Sequence, residues 1–453
     1  MRLRAVIAVV VFLSVILTLS TNLLFSHLVF DEGYNLQVPL LLHTRGNYAT
    51  FDGMYDSRIT TGWPVLLPAA LLVHFSWWAP RTVILVYTLV LFWLLVRYVY
   101  TSVTQFMVFL IMFSLIPLSF LFSTHVLGEL PAFVWMIAGY ILLEKKRLQS
   151  AGICIGLAVV TKNSAIFALI PVVLLMVISI RSKHTSIGDS IRFVVSIFLP
   201  ILFGEMLRFV SSGSVQGYTQ SVTDYITFVH SQSHVHIDLI AHRIITLGEI
   251  VGFSSWLLIL FIVFACIGVH RSGRYSAFLI ALYSLLYGLF YLFLGPNTFY
   301  RTFFPILLGA VVCIPFWNKS RFGFFVITAS LFLWSYGLIG QRKLYSNPSF
   351  LIENSLFIEY RLIPTFSKDK LLKDQLDLVH VMKDKTISGI GWHNAPELSY
   401  LLNKRIYRDY TNSSSCYIIT GYIEPVEQEG VLRFISILYY KNTYYRIYKK
   451  IGC

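Results

Sequence analysis

The segment Phe30-Asp31-Glu32-Gly33-Tyr34 directly follows an almost continuously apolar stretch at residues 5–25. An apolar stretch of about 20 residues is long enough to cross a bilayer as a helix. The acidic pair is therefore expected just outside the membrane, close to the lipid headgroups. Charge there is costly unless it is solvated or used, so the pair is a candidate for chemistry. An acidic residue can also simply mark the end of a helix, and that alternative stays open at this point.

The start of the chain predicts the orientation of this first helix. Arg2 and Arg4 precede it, and basic residues favour the cytoplasmic side, so the N-terminus is expected inside. The apolar region is longer than that of a typical signal peptide, and no clear small-x-small cleavage site precedes Asp31. We therefore expect an uncleaved anchor.

Composition indicates the class of protein. The 453-residue chain is 56% apolar and only 13% charged, whereas soluble proteins carry about 25% charged residues. This composition predicts an integral membrane protein in contact with membrane lipids. The net charge of +14 does not indicate nucleic-acid binding. The basic residues of the first 340 positions lie mainly in short clusters between apolar runs, without a basic stripe interleaved with aromatic residues.

The apolar runs predict an all-α polytopic membrane domain over residues 1–344, with a first outer loop at 26–62. Between that loop and Glu129 lie three apolar stretches, near 61–80, 82–100 and 104–122. If Asp31 and Glu129 both lie outside, an even number of crossings separates them. One of the three stretches is therefore expected not to span, and the sequence does not say which.

Later runs alternate with basic clusters that are typical of cytoplasmic loops. They lie at 149–161, 165–180, 191–210, 244–268, 275–294, 302–317 and 322–340, with a polar outer loop at 211–243. The total is about 11 crossings, with the N-terminus inside and the C-terminus outside.

Residues 345–453 predict a small α/β domain on the outer face, because charges become dense and apolar runs shorten. Its predicted elements are a helix at 367–383, a strand at 386–392, a helix at 395–402, and strand sequence at 416–422 and 436–448. Cys416 and Cys453 both fall in this domain, where a disulfide or two free thiols remain open. The other three cysteines (Cys154, Cys266 and Cys313) lie in apolar runs and read as core residues.

The carboxylates of the first 340 residues concentrate on the predicted outer side. Of eleven, nine are placed there: Asp31, Glu32, Asp52, Asp56, Glu129, Glu205, Asp224, Asp238 and Glu249. Several of these lie within or against apolar sequence, which indicates an outward-facing polar cavity. Lys162 and Arg301 stand at the ends of membrane segments, where a cation can meet a lipid phosphate. Snorkelling to headgroups is the alternative for both.

At this point the chain resembles the GT-C glycosyltransferases, in the group with the protein O-mannosyltransferases and the lipid A aminoarabinose transferase. The features that carry the resemblance, spread over residues 1–320, are Asp31-Glu32 with Tyr34 and 45–48, Trp63-Pro64, Glu129 followed by 156–162, and Arg301 before Pro305. Glu129 stands where relatives often carry Asp. The size and layout also resemble serotype-converting O-antigen glucosyltransferases.

The resemblance implies a bacterial inner-membrane enzyme whose active site faces the periplasm. It would transfer a sugar, with glucose favoured, from undecaprenyl phosphate to an acceptor glycan such as lipopolysaccharide O-antigen, with inversion and without a cofactor. Asp31 would act as general base. The implied site residues are Asp31, Glu32 and Glu129 as catalytic groups, Lys162, Arg301 and Arg58 at the donor phosphate, and Tyr34, Asp56 and Tyr300 at the substrate.

The sequence also bears on three other interpretations. A histidine-rich loop at 230–242 can suggest a divalent metal, but its spacing matches no standard site and metal binding is not favoured. A transporter or flippase of a lipid-linked sugar would be expected to show an internal repeat, which the sequence lacks. An O-antigen polymerase or ligase would account for the arginines but leaves Asp31-Glu32 unexplained.

Overall fold

The computed structural model describes residues 2–51, 61–115, 119–181, 186–232, 275–294, 300–319, 370–389, 396–407, 414–421, 436–442 and 445–453. Helices form the described part before residue 320, and a small sheet with two helices forms the part after residue 370. This confirms the predicted mostly helical protein with a small C-terminal α/β unit. Two of the predicted crossings, 244–268 and 322–340, lie outside the described residues.

The helices before residue 320 follow one another with short connections. They are α1 (Arg2–Phe25), α2 (Phe30–Arg45), α3 (Trp63–Ala70), α4 (Arg81–Leu94), α5 (Val103–Leu115), α6 (Ser119–Phe122), α7 (Glu129–Glu144), α8 (Leu148–Thr161), α9 (Leu169–Arg181), α10 (Ile187–Ser212), α11 (Val215–Gln232), α12 (Tyr275–Leu294) and α13 (Tyr300–Cys313). A π-helical turn, Leu95–Val99, extends α4. The 3₁₀ stretches Asn163–Ala168 and Ile314–Lys319 precede α9 and follow α13.

Several of these helices have the length and composition of membrane segments. Val6–Phe25, Arg81–Val99 and Ile187–Ser212 are long and apolar enough to cross a bilayer, and five further apolar helices are 10–17 residues long. Large apolar side chains stand outward on them, such as Leu202 at 61% exposure and Val210 at 70%. Such surfaces are unfavourable in water and natural against lipid. The chain is a membrane protein.

Of the three apolar stretches before Glu129, the first does not form a spanning helix. Within 61–80, only the eight residues Trp63–Ala70 are helical, and turns follow as far as residue 80. Eight residues rise about 12 Å, against about 30 Å of hydrocarbon. The stretch 82–100 forms the long helix Arg81–Val99, and the described helices within 104–122 are Val103–Leu115 and Ser119–Phe122. The number of crossings between Asp31 and Glu129 stays a prediction.

Small residues bring α8 and α10 into close contact. A Cβ atom on Gly156 would lie 2.3 Å from the Ile197 carbonyl oxygen, and one on Gly152 would lie 2.5 Å from the Phe193 carbonyl oxygen. Glycines four positions apart let two membrane helices approach to backbone contact. This packing holds the end of α8, which leads to Lys162.

The predicted polar loop at 211–243 is wrong in its first part, because residues Val215–Gln232 form α11. Gly213, at φ +65°, ends α10 and lets the chain turn. No proline interrupts the segment, and the Gln220 amide donates to Asp224 Oδ1 one turn later at 2.8 Å. Polar residues that pair at this spacing stabilise a helix without making it apolar.

The C-terminal domain, as described, comprises two helices and one mixed sheet. They are α14 (Lys370–Met382), α15 (Pro396–Leu402), β1 (Ile387–Gly389), β2 (Tyr417–Gly421), β3 (Ser436–Lys441) and β4 (Tyr445–Lys450). The strand order is β1-β2-β4-β3, with β1 parallel to β2 and the other pairs antiparallel. The predicted strand sequence at 436–448 folds back as a hairpin, because Asn442 Oδ1 accepts the Tyr445 N–H at 2.8 Å.

A disulfide joins Cys416 and Cys453, whose Cα atoms lie 5.6 Å apart. It closes a loop with a sequence separation of 37 residues, which restricts the unfolded chain. We expect Cys453→Ser to lower the stability of the C-terminal domain by about 2–4 kcal/mol. Thermal unfolding of the purified full-length protein measures the change. A thiol reductant should destabilise the wild type and leave the variant unchanged, and equal sensitivity of both would contradict a stabilising disulfide.

Candidate active site

The acidic pair forms the first turn of α2. Asp31 and Glu32 stand at the positive end of the helix dipole, where carboxylates are favourable. Val29 caps this helix, and its apolar side chain cannot accept a hydrogen bond from the first N–H groups of α2. The two neighbours differ in environment, because Asp31 keeps 7% of its surface exposed and Glu32 is 0% exposed.

Glu32 forms a buried two-pronged ion pair with Arg81. Arg81 donates from Nε to Glu32 Oε1 at 2.7 Å and from its terminal nitrogen to Oε2 at 2.6 Å, and both side chains are 0% exposed. The Val126 N–H adds a bond to Oε1 at 3.1 Å. Burial alone would raise the pKa of Glu32, but Arg81, His125 and these hydrogen bonds together lower it. Glu32 is therefore an ionised carboxylate with both oxygens engaged.

The same arginine holds the linker that precedes the acidic pair. Arg81 donates to the Ser26 carbonyl at 3.0 Å and to the His27 carbonyl at 2.7 Å. His125 Nε2 lies 3.0 Å from the His27 carbonyl. Burial and then Arg81 lower the pKa of His125 to about 3, so this imidazole is neutral at physiological pH. Its Nε2–H can donate to that carbonyl.

A second ion pair joins Glu129 and Lys162. The Lys162 amine lies 2.7 Å from Glu129 Oε1, with the lysine side chain 15% exposed and the glutamate 2%. Glu129 is the first residue of α7, and Lys162 follows the last residue of α8 in extended conformation. The two helices pack together, which explains how residues so distant in sequence meet.

The end of the first outer loop lies against the end of α8. The Gly62 N–H donates to the Thr161 carbonyl at 3.0 Å. A Cβ atom at position 62 would lie 1.8 Å from the Val160 carbonyl oxygen, so only glycine fits. This close approach places the start of α3 beside the backbone that leads to Lys162.

The backbone of Val126 bonds two side chains of α2. Its N–H bonds Glu32, and its carbonyl accepts from Asn35 Nδ2 at 2.8 Å. Asn35 Nδ2 also donates to Thr61 Oγ1 at 3.0 Å. The acidic turn of α2, the backbone of Val126 and the end of the first loop therefore form one hydrogen-bonded network, and α7 begins at Glu129, three residues after Val126.

The implied site residues fall into three groups. Glu32 belongs to the hydrogen-bonded network, Asp31 precedes it in the same helical turn, and Glu129 and Lys162 form the second ion pair. Tyr34 lies in α2 and is 0% exposed. The remaining four are not described at side-chain level: Asp56 and Arg58 lie outside the described residues, and Tyr300 and Arg301 are described only as the start of α13.

Sequence reasoning missed Arg81, His125 and Asn35. Arg81 carried a usable signal, because it is a lone arginine between two apolar runs and such a charge needs a buried partner. His125 and Asn35 carried none, since their function comes from contacts with distant backbone groups.

No group of three His, Cys, Asp or Glu side chains within the described ranges is arranged to hold a metal ion. The histidine-rich segment falls almost entirely in 233–274, outside those ranges, so the expectation of no metal there remains a prediction.

Comparison with known proteins identifies the fold. No protein-family model matches the sequence, and no curated protein matches it by sequence search. The crystal structure of ArnT from Cupriavidus metallidurans in the apo state is similar, with a TM-score of 0.63, 10% identity, and 99% of this chain and 98% of ArnT covered. The structure of the same protein bound to undecaprenyl phosphate matches with the same values. ArnT is the lipid A aminoarabinose transferase, a GT-C protein. The resemblance found in the sequence is thus confirmed at the level of the fold, and this chain has the fold of ArnT.

Proposed function

We propose that this protein is a membrane glycosyltransferase that moves a sugar from a polyprenyl-phosphate donor to an acceptor glycan. The observations that carry the proposal are the acidic first turn of α2, in which Asp31 stands beside a fully engaged Glu32, and the buried Glu129–Lys162 ion pair. The fold of ArnT, a protein whose structure holds undecaprenyl phosphate, supports a lipid-phosphate donor. The reaction would take place on the periplasmic face of a bacterial inner membrane.

Asp31 is the general base in this proposal. Glu32 is 0% exposed and both of its oxygens accept hydrogen bonds from Arg81, so it is not accessible to a substrate. We assign Glu32 to holding α2 in place. Asp31 takes the proton of an acceptor hydroxyl, whose oxygen attacks the anomeric carbon from the face opposite the donor phosphate. The bond from that carbon to the phosphate oxygen breaks, and the lipid phosphate leaves with the electron pair.

Lys162 stabilises the charge that develops on the leaving phosphate. Its amine is fixed by Glu129 at 2.7 Å, and its side chain is 15% exposed, so it is held in place and still reachable. A cation that is oriented before the reaction stabilises the transition state without a free-energy cost of reorganisation. Arg301 and Arg58 are the further phosphate ligands that we propose, and Asp56 and Tyr300 the substrate contacts. Tyr34 is buried in α2 and is assigned to packing.

The donor and the acceptor are tested together. Purified protein is incubated with synthetic undecaprenyl-phosphate-glucose and lipopolysaccharide, and transfer of glucose to the O-antigen is measured. Transfer supports the proposal in full. Donor hydrolysis without transfer would support the proposed donor and contradict the proposed acceptor. Donor binding with neither hydrolysis nor transfer, followed by movement of the donor across proteoliposomes, would favour a transporter.

Lys162→Met should reduce kcat by about 10²-fold or more, the usual cost of removing one oriented charge from a transition state. Lys162→Arg keeps the positive charge, so we expect a smaller loss. Lys146→Met is the matched control, because that lysine is exposed between α7 and α8. Initial rates at several donor concentrations separate kcat from KM. Wild-type kcat in Lys162→Met would remove this residue from the phosphate site.

A further inference from the structure

A glutamine of the C-terminal domain bonds the linker that precedes the acidic pair. The Leu28 N–H donates to Gln375 Oε1 at 3.1 Å, and Gln375 Nε2 donates to the Leu28 carbonyl at 3.0 Å. The two residues are 347 positions apart. Gln375 lies on α14 and is 1% exposed, and Leu28 is 2% exposed. A single side chain therefore satisfies both backbone polar groups of one buried residue.

The linker needs such a partner. Residues 27–29 are not helical, so the Leu28 N–H and carbonyl lack the bonds that α1 or α2 would supply. Buried backbone groups without partners are strongly unfavourable. A side-chain amide presents a donor and an acceptor side by side, which matches the N–H and carbonyl groups of a single residue. Two parallel bonds fix the direction of the linker as well as its position.

The membrane domain also holds the same linker. Arg81 and His125 bond the carbonyl of His27, the residue before Leu28. The linker between α1 and the acidic pair is thus bonded by Arg81 and His125 of the membrane domain and by Gln375 of the C-terminal domain. Asp31 follows Leu28 by three residues.

Further contacts hold the C-terminal domain against the membrane domain near this linker. The Tyr400 hydroxyl donates to the Trp77 carbonyl at 3.2 Å, and Tyr400 packs in one apolar cluster with Leu28 and Leu36. Helices α15 and α2 lie in contact.

Gln375 also belongs to a polar chain within its own domain. Its Nε2 lies 3.4 Å from the Tyr445 hydroxyl, which donates to Glu397 Oε1 at 3.1 Å. His27 interacts electrostatically with Glu397. These titratable groups (Tyr445, Glu397 and His27) surround the Gln375 contact.

We propose that Gln375 is a positioning residue, through which the C-terminal domain holds Leu28 and thereby orients Asp31 for proton abstraction. This inference rests on the proposed role of Asp31 as the base. A misplacement of about 1 Å can cost a reaction 10²-fold in rate, even when the residue touches no substrate. Loss of Gln375 should therefore lower kcat and leave donor binding unchanged.

Two variants test the proposal in the full-length protein. Gln375→Leu should lower kcat by about 10–100-fold, with donor KM unchanged within about twofold. In Gln375→Glu, a protonated carboxyl offers the same donor and acceptor as the amide, whereas the ionised form cannot donate to the Leu28 carbonyl. Its kcat should be near that of the wild type at low pH and fall as the pH rises. Asp377→Asn, exposed on the same helix, is the matched control.

The wild-type pH profile is the baseline, because burial raises the pKa of the neighbouring Glu397 to about 7. Wild-type kcat in both Gln375 variants would overturn the proposal. So would an equal loss at every pH in Gln375→Glu, or a loss of donor binding in step with thermal stability, since either outcome indicates a purely structural residue. An inactive Asp31→Asn beside a fully active Gln375→Leu rejects the positioning alone. An active Asp31→Asn rejects the base and the positioning together.

Discussion

Asp31→Asn is expected to lower the rate of sugar transfer by about 10²–10⁴-fold, the range that general bases contribute. The amide has the shape of the carboxylate but cannot take a proton from the acceptor hydroxyl. Glu32 cannot replace it, because its oxygens are bonded to Arg81 at 2.7 and 2.6 Å in a site without exposure. Folding should be little affected, because the volume is conserved and the lost interaction of the charge with the α2 dipole is worth only about 0.3–1 kcal/mol.

The measurement compares initial rates of transfer for the wild type and the variant over a range of donor concentrations. Donor KM should change little, since Lys162 and the other proposed phosphate ligands remain. Asp224→Asn is the matched control, with an exposed carboxylate on α11 that belongs to no part of the bonded network. Equal rates for Asp31→Asn and the wild type would leave the enzyme class standing and move the base to Glu129.

Arg81→Met should destabilise the protein by about 3–5 kcal/mol, the cost of leaving one member of a buried ion pair without its partner. Glu32 would keep a charge at 0% exposure, the Ser26 carbonyl would lose its bond from Arg81, and the His27 carbonyl would keep only the contact with His125. Since whole domains are stable by only about 5–15 kcal/mol, we expect little folded protein in the membrane. Thermal unfolding in detergent and the yield of monodisperse protein measure the effect.

The double variant Arg81→Met/Glu32→Leu separates charge from packing. It removes both charges together, and well-packed apolar replacements for a buried ion pair are often neutral. Most of the lost stability should return. Failure of the double variant to recover stability would show that the bonds from Arg81 to the linker, rather than its pairing with Glu32, dominate.

The pH dependence of these variants follows from the sign of the Glu32 shift. In the wild type the pKa of Glu32 is lowered, so its contribution to stability is present above the ordinary value of 4.5 and is lost as the pH falls through the folded-state value. In Arg81→Met the guanidinium charge that lowers the pKa of Glu32 is absent, so burial raises that pKa. The destabilisation of Arg81→Met should therefore shrink as the pH is lowered.

Much of the architecture follows from local sequence. Long apolar stretches predict membrane helices, because a helix satisfies the hydrogen bonds of its own backbone within the membrane. The prediction therefore needs only the length and composition of the stretch. The sequence 82–100 forms the helix Arg81–Val99, and 191–210 lies within α10. For the stretch at 61–80, length and composition are not enough to tell whether it spans the membrane. Its composition is apolar, but turns after Ala70 limit α3 to eight residues.

The acidic pair shows where local sequence stops being informative. Asp31 and Glu32 are adjacent carboxylates with the same predicted depth, and nothing near them in sequence distinguishes a base from a structural anchor. The distinction comes from Arg81 and Val126, which lie 49 and 94 residues away from Glu32.

The sequence by itself determined that this is a helical membrane protein with an acidic pair after its first helix, a GT-C resemblance and a small α/β domain at its end. Those conclusions depend on hydrophobic length, charge placement and motif order, which are properties of short segments. Only the tertiary structure decided that Glu32 pairs with Arg81, that Glu129 meets Lys162, and that Gln375 bonds Leu28. Buried polar groups must find partners within the fold, and those partners are chosen by three-dimensional packing rather than by proximity along the chain.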